Sequence, residues 1–86
     1  MEIIWVRLGD ADSYNRFDDL AEVAQYMSLF GVNHVHRSRE YGVEANGLTG
    51  LNDISLFYGD NDAQPIRDLS DQDIRLLNKE LRKPLA

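Results

Sequence analysis

Asp53-Ile54-Ser55-Leu56-Phe57-Tyr58 is the stretch whose reading decides the fold of this chain. The run is β-branched and aromatic, with Gly50 and Asn52 before it and Gly59-Asp60-Asn61-Asp62 after it. Such a run between turn residues predicts a mostly buried central strand from Asn52 to Tyr58. Ile54, Leu56 and Tyr58 alternate onto one face, Ser55 and Phe57 onto the other.

Working outward, Met1 to Leu8 sets Ile4, Val6 and Leu8 against Ile3, Trp5 and Arg7, the pattern of a strand apolar on one face and half apolar on the other. Gly9 to Arg16 reads as a loop. From Phe17 the period becomes helical: Phe17, Leu20, Ala21, Ala24 and Met27 form a stripe that Val23, Tyr26 and Phe30 widen. A helix over about Asp19 to Phe30 follows, with Asp18 or Asp19 as its cap, Glu22 completing a capping box with Asp19, and Gly31 as its stop. Val32 to Ala45 reads as an extended stretch, the second strand, without a clean alternation to mark its core face. Asn46-Gly47 signals a hairpin turn into the central strand, in a register that sets His36 opposite Leu56. At the far end Ser70 caps a helix over about Asp71 to Arg82. Asp71 and Asp73 occupy its first turn, Leu69 staples onto Ile74, Ile74, Leu77 and Leu81 form its apolar stripe, and Pro84 ends it.

The order strand, helix, strand, strand, helix predicts an α+β open sandwich: a three-stranded, mainly antiparallel sheet with the central strand in the middle and both helices on one face. In element order it resembles most of a ferredoxin-like unit without its last strand. The 86 residues make one domain, 1–86, since a chain this short has no room for a second core. Hydrophobic residues at 43% and charged residues at 28% are ordinary for a folded globular protein. No apolar run is long enough for a membrane helix, and Met1-Glu2-Ile3-Ile4-Trp5 lacks the features of a secretory signal, so a cytoplasmic protein without membrane contact is expected. The absence of cysteine removes disulfides, thiolate metal sites and a thiol nucleophile.

The net charge of −6 is concentrated. Asp10, Asp12, Asp18, Asp19 and Glu22 face only Arg16 within residues 10–22, and Asp60, Asp62, Asp68, Asp71 and Asp73 face only Arg67 within 60–73, so each window carries −4. The rest of the chain is basic on balance, with Arg75, Lys79, Arg82 and Lys83 near its end. Such a field disfavours generic contact with nucleic acid or anionic lipid and favours a basic partner surface, while also serving solubility and helix capping.

Sequence motifs for chemistry are sparse. The pairs Asp10/Asp12 and Asp60/Asp62 have the spacing of hard-cation ligands, but Asp60-Asn61-Asp62-Ala63-Gln64-Pro65 lacks the glycine and closing glutamate of a calcium loop, and turn chemistry accounts for both pairs. His34 and His36 share a strand face without a third ligand at fixed spacing. The serines lack a nucleophile-elbow context, and Gly47-Leu48-Thr49-Gly50 leads into a strand with no lysine. No catalytic residue, metal or cofactor is expected.

The sheet face away from the helices carries the remaining signal. Ile3, Trp5 and Arg7, Phe57, and Val35, Arg37 and Arg39 fall on it, an aromatic and arginine set of the kind found at interfaces and on single-strand-binding sheets. The preferred reading is a non-catalytic acidic interaction module that occupies the basic surface of a protein, such as a nucleic-acid-binding one, through Asp60, Asp62, Asp68, Asp71 and Asp73 together with Trp5, Phe57, Arg37 and Arg39. In size and charge the chain resembles phage-encoded DNA mimics and anti-CRISPR inhibitors. Two readings stay open beside it: a single-stranded nucleic-acid binder using the aromatic and arginine face, and a small enzyme subunit or metal-binding protein. A homodimer through that face is a further option.

Overall fold

The computed structural model describes residues 3–8, 13–38, 42–47 and 54–83, with the backbone alone described at 37, 38 and 42–47. Among them are two helices and an antiparallel sheet, the α+β layering expected from the element order. The strands are β1 (Ile3–Leu8), β2 (Asn15–Phe17), β3 (Val32–Ser38), β4 (Gly42–Gly47), β5 (Ile54–Gly59) and β6 (Pro65–Asp68). The helices are α1 (Leu20–Leu29) and α2 (Asp71–Leu81).

β5 is the central strand. One of its edges pairs antiparallel with the whole of β1, from Ile3 opposite Gly59 to Leu8 opposite Ile54. Its other edge is shared between β4, through Val43 opposite Ile54, and β6, through Phe57 opposite Asp68 and Tyr58 opposite Arg67. β2 lies outside β1 and β3 outside β4, which gives the order β2-β1-β5-β4-β3 with β6 beside β5. The sheet therefore exceeds the three strands expected. The two short additions carry no alternating apolar pattern, being largely exposed, and β6 opens on Pro65, a residue admitted to a strand only at its start or edge.

The expected partnership of His36 with Leu56 is corrected. Val32 to Ala45 does not form one strand; β3 folds back on β4, with His36 opposite Glu44, and it is β4 that reaches β5. Asn46 and Gly47 accordingly lie within β4 and not at a turn. Turn propensity at an Asn-Gly pair is local, and cross-strand pairing along seven residues of β3 outweighs it.

Both helices pack against one sheet face. Ile4, Val6 and Leu8 of β1 and Ile54 and Leu56 of β5 form one cluster with Val23, Ala24 and Met27 of α1 and Ile74, Leu77 and Leu81 of α2. Asp19 caps α1, its carboxylate accepting the Glu22 N–H at 2.9 Å, while the return bond from Glu22 reaches the N–H of Asp18. Gly31, at φ 78, turns the chain into β3, as the left-handed stop required. Ser70 and Asp73 complete a reciprocal capping box on α2, and Leu69 is buried in the same cluster as Ile74. No helix among the described residues is long and apolar enough to cross a membrane.

One face assignment is reversed. Val35, expected beside Arg37 and Arg39 on the face away from the helices, is fully buried in the helix-side core. In β3 the residues that flank it, His34 and His36, take the other face. The backbone of Arg37 stands opposite Val43; its side chain, and Arg39 altogether, lie outside the described residues.

Candidate interaction surface

The acids of 60–73 gather along the β5–β6 hairpin and the start of α2, and they are not equivalent. Asp60 is the hub of the turn. Its carboxylate accepts the N–H groups of Asp62 and Gln64 at 2.9 and 3.0 Å, and its carbonyl accepts from the Ala63 N–H at 3.2 Å and the Trp5 indole at 2.8 Å. This is the side-chain-to-backbone bonding that makes aspartate a turn former. Asp62, Asp68 and Asp71 are exposed. Ile66 stands between them in sequence on a β6 that is exposed at all four positions, and it is itself 55% exposed.

Asp73 has a different task. It accepts the Ser70 N–H at 3.1 Å and lies 3.6 Å from Arg67, whose guanidinium sits 3.9 Å from the centre of the Tyr58 ring. Burial works to raise the Asp73 carboxyl, but the Ser70 backbone and hydroxyl and the Arg67 charge outweigh it and hold the group below its ordinary value. Burial raises the Tyr58 hydroxyl, the Asp73 charge adds to the rise, and Arg67 opposes it. The cation of this window is thus engaged with Tyr58 and Asp73, which ties β5, β6 and α2 together.

On the other sheet face the aromatic set is largely covered. Phe57 is buried at 7% exposure and meets Tyr14 edge-on, ring centroids 5.3 Å apart. The Tyr14 hydroxyl is 3.1 Å from Ser55 Oγ, and Arg7 lies over the Tyr14 ring at 5.2 Å. Trp5 is half-buried and pinned to the Asp60 carbonyl. Of the residues expected on this face, Trp5 and Phe57 come together, one opposite the other across β1 and β5, as side chains packed under the chain rather than as an open platform. Tyr14 and Gly59 were not singled out by sequence. A Cβ at Gly59 would lie 2.7 Å from Trp5 Cδ1 and 2.8 Å from the Gln64 carbonyl oxygen, so the glycine is what lets Trp5 and the turn close over β5.

His34 and His36 stack, ring centroids 6.2 Å apart, and no group of three metal-ligating side chains occurs among the described residues. An open groove of about 790 Å³ runs between α1 and the end of α2, with Phe17, Ala21 and Leu29 on its apolar side and Arg16, Glu22, Glu80 and Lys83 as a balanced set of charges. Comparison with known proteins gives no match to a family model, a curated protein or a solved structure.

Proposed function

We propose that this protein is a non-catalytic interaction module that docks on the basic surface of a partner protein, of the kind a nucleic-acid-binding protein carries, and acts by occupying it. The observation that carries the reading is the exposed β5–β6 hairpin, where Ile66 offers an apolar contact between the exposed acids Asp62 and Asp68, with Asp71 following at the head of α2. An apolar centre inside a charged rim is the usual anatomy of an interface, and a rim of one sign speeds encounter with a partner of the other. Asp60 and Asp73 serve this surface from behind by shaping the turn and capping the helix. The packed state of Trp5 and Phe57 removes support from the alternative of base stacking on the sheet face.

Native lysate passed over immobilised wild-type chain and over Asp62→Lys/Asp68→Lys decides the matter. Wild type should retain basic proteins that elute with rising salt, and the double variant should lose them at a melting temperature no lower than that of wild type. Equal retention by both would remove the acidic surface from the function, and recovery abolished by nuclease would move the reading to nucleic acid.

A further inference from the structure

Among the described residues three strands have an edge without a β-neighbour: β2, β6 and β3. Such an edge is a template for a strand of another chain unless something blunts it. β2 has three residues, and β6 has four, opening on Pro65 and closing on Asp68, so brevity, proline and charge protect them. β3 is seven residues long and contains neither proline nor acid. Its guard is a side chain from α2. Asn78 accepts the Val35 N–H on Oδ1 at 2.8 Å and donates Nδ2 to the Val35 carbonyl at 2.9 Å. Asn78 is itself buried, at 8% exposure, on the face of α2 that also carries Ile74, Leu77 and Leu81.

A primary amide offers the donor and the acceptor of a peptide group, so Asn78 stands where one residue of a neighbouring strand would stand. Both polar groups of one residue in an antiparallel strand point to the same side, which places those of Val35 on the rim, away from β4. We propose that the β3 edge is a latent pairing site for β3 of a second copy of this chain, held shut by Asn78. A two-fold pairing about Val35 sets Val35 against Val35 and His34 against His36, and the strand brings no acid to the junction although the chain carries −6. Without the amide, two backbone groups remain buried against α2 with no partner, and the relief open to them is for α2 to leave the edge and a strand to replace it.

Asn78→Leu, close in size and without polar atoms, tests this. Exchange of the Val35 amide should accelerate about tenfold or more, the scale of losing one to two ordinary hydrogen bonds. Sedimentation velocity should show a concentration-dependent dimer where wild type stays monomeric, and dimerisation should protect further β3 amides from exchange. Asn78→Gln, which keeps the amide, should dimerise less than Asn78→Leu, and Asn78→Ser serves the same measurements if the leucine variant does not fold. A folded Asn78→Leu or Asn78→Ser that loses stability yet stays monomeric, or one whose dimer leaves β3 unprotected, would overturn the proposal and leave Asn78 a structural residue.

Discussion

Gly59 and Asp73 show how much of this protein rests on single atoms. Gly59→Ala should cost about 1–3 kcal/mol in denaturant unfolding, because the new methyl meets a backbone oxygen and the Trp5 ring with nowhere to move; a loss below a few tenths would mean that the turn over β5 is looser than its contacts imply. For Asp73 the sign follows from its depressed pKa. A carboxyl held below its unfolded value lends stability above the ordinary carboxylate range, and that contribution disappears as the pH falls through the folded value. Asp73→Asn should therefore melt below wild type at neutral pH, and the gap should close as the pH falls below the ordinary carboxylate range and through the folded value. Tyr58 runs the other way: its raised value lends stability that is whole below about pH 10 and fades as pH climbs through the folded pKa, so Tyr58→Phe should flatten the alkaline limb of the melting profile. An unchanged limb in that variant would show that Tyr58 does not titrate in the folded range.

At the level of elements, legibility tracked burial and period. α2 could be read to within a residue because cap, first-turn acids and apolar stripe agree, and Ser70→Ala should cost about 0.5–2 kcal/mol by removing one arm of its capping box. An unaltered thermal midpoint would contradict that box. β1 and β5 were legible for the same reason, since their apolar residues alternate onto the helix side. β2 and β6 were not, because strands that bury nothing leave no period in the sequence. The reversal at Val35 has another origin: β3 holds a single apolar residue between Asn33 and Ser38, and one residue sets no phase. Asn78 did leave a trace, lying four residues after Ile74 and three before Leu81 on the apolar face, where a polar side chain calls for a buried partner. Phe57 lies on the face that the alternation assigns to it, but buried there rather than open to a partner; with Tyr14 packed on it, Phe57→Ala should lose about 3–5 kcal/mol of stability. A variant that keeps its stability would return Phe57 to the surface.

Taken whole, the molecule is small enough for its charges to act together. Its principal extents are 31 × 27 × 24 Å, and at about 10 mM salt the Debye length is about 30 Å, so every acid feels every other across the fold. At about 150 mM the length falls to about 8 Å, and repulsion survives only inside each acidic window. Screening over this interval should therefore raise the melting temperature of a chain carrying −6, by about 2–5 °C for a repulsion of under 1 kcal/mol. Asp18→Lys and Asp68→Lys each remove two units of negative charge, and each side chain is exposed, so the two variants should flatten this first rise alike although they sit in different windows. Above 150 mM they should separate. Lys79, Arg82 and Lys83 against Glu80 alone leave the last turns of α2 basic beside α1, whereas the cation of 60–73 is already engaged by Asp73 and Tyr58. Residual salt sensitivity should then persist in Asp18→Lys and vanish in Asp68→Lys. The opposite ranking would place the uncompensated field on the α1 side, and either that ranking or identical behaviour up to 1 M would count against the β5–β6 hairpin as the docking surface.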